Sequence, residues 1–466
     1  LSFVDNFYAE MIFAHLITLC LSSSLTGVTG FLLPRMLHHS MKGRLQMVAT
    51  DKNIEESSIL NSVDAILRSD FPILFQETQP GKNLIYLDSA ASSQKPNQVL
   101  EAMDQYYKIS HSNVHRGAHT LAVRATDKFE WARSQVQNFI NAEHREEIIF
   151  TRGATEAINL VALSYGQRIK PGDEIVLSVM EHHANLVPWQ MLAQRTGAIL
   201  KFVNITETME FDLDEYKTLL TDKTKIVAVA HASNVLGATN PVKEIIEAAH
   251  EKGAVVLLDA CQSVPHMPVD VQSLNVDFLV ASAHKMCGPT GIGFLYGKKG
   301  LLESMPPVIG GGEMIDRVEL ESSTYAAPPS RFEAGTPAIA EAVGLGAACE
   351  YLNKIGMETI HNHEMELGKY LYDELDKIDG LELYGPSTKV PGVKRNGLVA
   401  FNSKKIHATD LSFFLDQEGV AVRTGHHCAQ PLHKRLGVSG SIRASLYFYN
   451  SKQDVDDFIV KLRETI

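Results

Sequence analysis

The sequence predicts an α/β protein with a large domain on a mostly parallel sheet and a smaller α+β domain at the C-terminus. From EIIF at 147–150 to GIGFLYG at 291–297, short apolar runs alternate with helical segments. Strands apolar on both faces and separated by helices are the pattern of a parallel sheet covered on both sides. Past about residue 345 the style changes: a long helical stretch leads to GLVAFN, to the helical HATDLSFFLDQEG and to a turn rich in glycine and histidine. With 466 residues, 45% apolar and 21% charged, the chain has material for two to three domains. Disorder, a minimal disulfide scaffold and a pure coiled coil are excluded.

Taken in order, residues 1–48 read as a targeting presequence, removed or disordered in the mature protein. Residues 11–33 carry almost no charge, with the apolar block MIFAHLITLCL followed by SSSLTGVTG. Such a block is too short and interrupted for a membrane span and fits a signal-type segment cleaved near Gly30, which leaves the mature protein without a stable membrane anchor. The next stretch holds Arg35, Lys42 and Arg44 and no acid until Asp51, a transit-peptide composition. The two-part address predicts import into a plastid enclosed by the secretory system, with Met11 as the start. The alternative is an ordinary N-terminal extension starting at Met41 or Met47 and a cytoplasmic or mitochondrial location.

Residues 49–94 are assigned to an N-terminal segment packing with the small domain, 95–345 to the large domain and 346–466 to the small domain. Helical spacing covers 54–67, 97–110 and 121–142, and LIYLDSAASS at 84–93 reads as a short strand entering a turn.

With 43 basic and 55 acidic residues the formal charge is −12, which argues against a nucleic-acid-coating surface. The five cysteines, Cys20, Cys261, Cys287, Cys349 and Cys428, form no C-x-x-C pair and read as thiols of a reducing compartment.

Three constellations carry chemistry. In the first, Thr151 to Glu156 (TRGATE) follows strand EIIF and opens a helix at 156–164, so free N–H groups and the Thr155 hydroxyl suit a phosphate. The same residues also make an ordinary cap. Asp259 ends strand AVVLLDA with Gln262 three residues on, at the strand edge where open α/β sheets bind ligands; an acid there can also cap a turn. Strand VDFLVASAH delivers Ser282, His284 and Lys285 into the turn KMCGPTGIG. A lysine amine at the end of an apolar strand suits a Schiff base. An acid for a ring nitrogen, an amine and a phosphate cradle together match pyridoxal phosphate.

The second constellation is Glu181-His182-His183, past strand EIVLSV, where a histidine can stack on a flat ring, move a proton or ligate a metal. The third is Arg423-Thr424-Gly425-His426-His427-Cys428, an electropositive setting that favours thiolate. Arg443 can hold a carboxylate through two parallel hydrogen bonds, or form a plain ion pair.

LDSAASSQKP, NVHRGAHTLAVRAT, MEHHANLVPWQ, SNVLGATNP, DACQSVPH, SAHKMCGPTGIGFLYG, RFEAGTP and RTGHHCAQPLH together resemble the group II (SUF-type, SufS-like) cysteine desulfurases, in a plastid-type form, from about residue 55 to the end. The resemblance implies a fold-type I pyridoxal phosphate transferase of the class V aminotransferase family, a homodimer. It assigns Lys285 to the cofactor aldehyde, His182 to the ring face, Asp259 to the pyridine nitrogen and Gln262 to the phenolic oxygen. Thr155, Ser282 and His284 take the phosphate, and Thr336 reaches the phosphate of the other subunit. Asn234, Arg423 and Arg443 grip the substrate. Lys285 removes the α-proton of free L-cysteine, Cys428 takes its sulfur as a persulfide, and L-alanine leaves. A SufE-like acceptor and, indirectly, the SUF scaffold receive the sulfur for iron–sulfur clusters. Selenocysteine lyase and aminotransferase activities are alternatives on the same fold. A zinc module using His182, His183, His426, His427 and Cys428 is the alternative from a different class, although it lacks short C-x-x-C spacing.

Overall fold

The computed structural model describes residues 67–466. The presequence and nearly all of the helical segment expected at 54–67 lie outside the described residues. We number only the strands of the two main sheets and the helices used below.

The large sheet has seven strands: β1 (Ile148–Thr151), β2 (Glu174–Ser178), β3 (Ile199–Val203), β4 (Thr224–Ala230), β5 (Val255–Asp259), β6 (Phe278–Ser282) and β7 (Gly293–Gly297), ordered β1-β7-β6-β5-β4-β2-β3. β7 runs antiparallel to both its neighbours, β1 and β6; the other neighbouring pairs are parallel. β7 is the exception because the link from Ser282 to Gly293 is a short turn. A parallel neighbour would need a crossover of a dozen residues or more. Every residue of β1, β2, β6 and β7 is buried, which is why these strands are apolar on both faces. β3 lies at the edge and leaves Ile199 and Phe202 exposed.

The covering helices include α1 (Asn97–Gln105), α2 (Thr120–Phe139), α3 (Ala154–Ser164) and α4 (Val187–Thr196). The expected helix over 97–110 changes to a wider π-turn at Tyr106–Ser110. The long C-terminal helical stretch is two helices, α5 (Ile339–Ile355) and α6 (Met357–Asp376), broken at Gly356 with φ 95°. α5 continues through residue 345 without a break, so the chain changes direction at Gly356 and not at the boundary expected from the pattern.

The small sheet is antiparallel, with β8 (Leu381–Tyr384), β9 (Leu398–Ser403), β10 (Arg423–Gly425) and β11 (Ser441–Ser445) in the order β8-β9-β11-β10. Its core joins Leu371, Phe401, Leu411, Leu415, Phe458 and Leu462, drawn from the sheet, α6, α7 (Ala408–Gln417) and the terminal helix Lys452–Thr465. The segment after residue 84 ties the two sheets together. Ile85 and Tyr86 pair in parallel with Val420 and Ala421, and Asp88 bridges to Ser445. Ser93 then donates its backbone N–H to the His284 carbonyl at 2.9 Å. Among the described residues no helix is long and apolar enough to cross a membrane.

Candidate active site

The carboxyl ends of β1, β2, β4, β5 and β6 meet along one edge of the large sheet, the position where open α/β sheets bind ligands. A cavity of about 280 Å³ opens there, between this edge and the small sheet. Thr155, His182, Asn234, Asp259, Gln262, Ser282, His284, Lys285, Arg423, Cys428 and Arg443 all line it. Thr336 does not; it lines a separate cleft with Arg152, Glu156 and Gly335.

The floor is built by close packing. α3 starts at Gly153, and Ala154 donates its backbone N–H to Ser282 Oγ at 2.9 Å. A side chain on Gly293 would stand 2.5 Å from the Ala281 carbonyl and 2.7 Å from Gly153 Cα. Glycine there lets β7 slide under the first turn of α3, which leaves that helix end open towards the cavity with Thr155 in its first turn. Asp259 is buried at the end of β5, and its Oδ1 accepts the Cys261 N–H at 3.1 Å. The capping and the ligand-facing readings of this aspartate are therefore compatible, because one oxygen caps the turn while the residue lines the cavity.

His182 caps a short helical turn, with Nδ1 accepting from the Ala184 N–H at 3.1 Å. Burial, followed by the charge of Lys285, lowers its pKa to about 4, so the ring is neutral near pH 7. Behind it, Glu181 is fully enclosed, hydrogen-bonded by Ser178 and by Asn185 at 2.7 Å, and burial pushes it up to about 7. Burial also holds His284 at about 4, with Lys285 and Lys95 adding to the effect. The His284 carbonyl accepts from Ser92, Ser93 and Lys95, which anchors the turn that carries Lys285.

The opposite wall is the cysteine loop. His427 and Cys428 have successive left-handed backbones, φ 49° and 56°. The large domain pins both: the His183 N–H donates to the Cys428 carbonyl at 2.7 Å, and Asn234 Nδ2 donates to the His427 carbonyl at 2.8 Å. Asn234, expected as a substrate contact, thus directs its amide N–H at the loop. Behind the loop, His433 Nδ1 lies 3.0 Å from the Ala429 carbonyl, and Ser441 Oγ lies 3.0 Å from His433 Nε2 and 3.1 Å from His427 Nε2. Burial lowers the pKa of both histidines, that of His427 to about 2. A carbonyl only accepts, so neutral His433 carries its proton on Nδ1, Ser441 donates to its Nε2, and His427 donates to Ser441 from Nε2. His427 Nδ1 is left as a buried bare acceptor, with no partner among the described residues.

Asp88 belongs to the LDSAASS turn. It accepts from Arg423 Nε at 3.1 and 3.2 Å and from Arg443 Nη2 at 3.2 Å. Arg443 Nη1 donates to the Asn234 carbonyl at 2.9 Å, and its buried Nε has no partner. The sequence assigns Ser441, Asp88 and Gly293 no role, and His427 none behind the loop, because each acts through a contact that only the folded chain makes; for Asp88 the only signal is an acid leaving a strand into a small-residue turn.

The donor set suits pyridoxal phosphate. It combines an acid at a strand end, an amine just past the end of the neighbouring strand, an open helix end beside two hydroxyls, and a flat neutral imidazole. Gln262 donates Nε2 to the Ala90 carbonyl at 2.7 Å and leaves Oε1 buried without a partner, an atom that a ring hydroxyl would satisfy. Among the described residues no group of three or more His, Cys, Asp or Glu side chains is placed to hold a metal ion. The zinc alternative therefore has no ligand cluster in this part of the chain.

The aminotransferase class-V family profile matches residues 85–458. A probable cysteine desulfurase of Synechocystis sp. is 57% identical over 406 residues, 87% of this chain and 96% of the relative. The crystal structure of the Escherichia coli cysteine desulfurase CsdA, in an S-sulfonic acid form, superposes with a TM-score of 0.79 at 40% identity, covering 86% of this chain and 98% of that one. The fold is shared more widely. A C-DES structure with glycine covalently linked to the PLP cofactor has a TM-score of 0.72 at 22% identity, over 85% of this chain and 98% of that one.

Proposed function

We propose that this chain, which belongs to the aminotransferase class-V family and within it to the cysteine desulfurases, moves the sulfur of L-cysteine onto Cys428 and hands it on as a group II, SUF-type enzyme. The cofactor is pyridoxal phosphate, which supplies an electron sink for the α-carbon of the bound amino acid. The observation that carries the reading is one cavity holding Lys285, Asp259 and an exposed thiol between two arginines.

Each residue has a definite task. Lys285 Nζ would hold the cofactor aldehyde and is placed to take the substrate α-proton. Asp259 would accept a hydrogen bond from the ring nitrogen. Thr155, Ser282, His284 and the α3 N–H groups would hold the phosphate, and neutral His182 would cover the ring face. Arg443 offers Nε to the substrate carboxylate. The Cys428 thiolate forms an S–S bond to the substrate sulfur as the C–S bond breaks. The carbon keeps the electron pair, gains a proton and leaves as L-alanine. An aminotransferase has no use for this thiol. Selenocysteine, with the same carbon skeleton, fits the same cavity as an alternative substrate.

Thr336 supports a homodimer, since it faces a cleft of its own and serves a phosphate only if that phosphate is held by a second subunit. The short pinned cysteine loop supports a separate sulfur carrier of SufE-like type that comes to Cys428, feeding iron–sulfur assembly on a SUF scaffold. The composition of residues 1–48 supports plastid import, tested by where a fluorescent fusion of those residues localises. The activity is tested by mixing the holoenzyme with L-cysteine and following alanine, with mass spectrometry of the peptide containing Cys428. One persulfide per site, an alanine burst and a slow steady state accelerated by a carrier thiol are expected. Sulfur on another residue, or a keto acid in place of alanine, would exclude the assignment.

A further inference from the structure

Two guanidiniums and one carboxylate form a triad at the cavity rim. Arg423 lies on β10 with about half its side chain exposed, whereas Arg443 on the neighbouring strand β11 is buried. Both lie within electrostatic reach of Cys428. Asp88 comes from the segment that ties the two sheets together, and it contacts both: Arg423 through Nε and Nη2, Arg443 through Nη2. Two positive charges and one negative charge leave a net of one.

We propose that Asp88 is a positioning residue that sets how much of the Arg423–Arg443 charge reaches Cys428 and any anion beside it. Three features support this. Asp88 is held by its backbone bridge to Ser445, so its carboxylate is placed by the sheet and not by the arginines alone. Its side chain is only 16% exposed, so solvent screens it weakly. The unpartnered Arg443 Nε shows that Asp88 does not exhaust that guanidinium, and one buried donor is left for a carboxylate or thiolate in the cavity. Without Asp88 two uncompensated guanidiniums would face the thiol, and the same field would draw in any small anion. With it, the cavity presents one unit of charge to a substrate with one carboxylate.

The groups facing Cys428 come from every wall. His427 and Arg423 belong to its own loop and strand, and Arg443 to the adjacent strand; His426, two residues before Cys428, lines a separate cleft with Gln430 and His433. His182, His183 and Lys285 come from the large sheet. Tyr86 also senses the triad; burial and then Asp88 push it up to about 12. The histidines and Lys285 are common to all variants below, so a change follows the triad.

The test is alkylation of Cys428 in the full-length holoenzyme, with Cys428→Ser subtracting reaction elsewhere. Iodoacetamide is uncharged, so the pH dependence of its rate reads thiolate fraction. In Asp88→Asn the midpoint is expected to fall by about one pH unit, and Asp88→Glu to restore it. The rate ratio of anionic iodoacetate to iodoacetamide should rise about threefold in Asp88→Asn. Arg423→Gln changes an accessible side chain and should raise the midpoint by about half a unit; Asp88→Ser, which removes the charge but keeps an oxygen for the arginines, takes the place of Asp88→Asn if that variant does not fold. Opposite shifts in the two variants with rescue by glutamate support the proposal; any other pattern overturns it. Alkylation requires no turnover, so the result is independent of the desulfurase reading.

Discussion

Cys287 and Cys428 lie in two turns on either side of one site, and both occupy left-handed backbone, φ 62° and 56°. Their thiols nevertheless have opposite circumstances. Cys287, two residues past Lys285, is fully buried, and burial pushes its thiol up to about 12. Cys428 is exposed, between two arginines. Backbone conformation alone therefore does not make a cysteine reactive; solvent access and neighbouring charge do. The turns also differ in purpose. The Lys285 turn is fixed by hydrogen bonds to the His284 carbonyl, whereas the Cys428 loop is pinned by its own carbonyls and leaves the thiol free.

The largest effect that would break this division is at Lys285. Lys285→Ala should abolish the Schiff-base absorbance and lower alanine formation by about three orders of magnitude or more, with an unchanged circular dichroism spectrum. Turnover retained in that variant would place the cofactor on another lysine.

The thiols are separated by paired substitutions. Cys428→Ser should still bind cofactor and respond spectrally to cysteine, but carry no persulfide. Cys287→Ser should keep persulfide formation within about threefold of the parent, because its thiol is a packing group. Mass spectrometry after a single turnover checks both, and the reverse outcome would exchange the roles of the two turns.

A smaller effect concerns the support behind the cysteine loop. Ser441→Ala removes the hydroxyl between His427 and His433 and leaves buried ring nitrogens unpaired, for a loss of about 1–3 kcal/mol in urea unfolding. Alanine-burst amplitude should fall with it if the His427 tautomer orders the loop. Unchanged stability would mean the two rings repack without the hydroxyl.

The smallest is a pH dependence shared by both turns. His284 and His182 titrate at about 4 and His427 at about 2, below the ordinary 6.5, because burial opposes their charged forms. An unfolded chain takes up protons at these rings as pH falls through 6.5, while the folded chain does not. Stability is therefore full above that pH and declines between about 6.5 and 4. Melting temperature measured from pH 7 to 4.5 should show this decline, with a shallower slope in His427→Gln; a flat profile would show that the rings are not kept neutral.

The strand-end residues were legible because a parallel sheet converts sequence order into spatial convergence. Once β5 and β6 are recognised as buried strands, Asp259 and Lys285 must emerge at the same edge. The glycine and histidine loop was equally visible as a reactive thiol setting, but its rigidity was not. A Gly-rich stretch reads as mobile until the carbonyls of His427 and Cys428 are found bonded to Asn234 and His183. The direction of β7 was hidden for a similar reason, since an apolar run carries no mark of its orientation and only the length of the preceding turn does. Local pattern, strand period and residue chemistry thus determined the fold class, the cavity edge, and the presence there of Lys285 and Cys428. Tertiary structure alone decided the Asp88 triad, the His427 tautomer and the break at Gly356. Asp88 meets arginines 335 and 355 residues away, and the His427 tautomer follows from a hydroxyl and a carbonyl brought together by the fold; such contacts leave no periodicity in a single sequence.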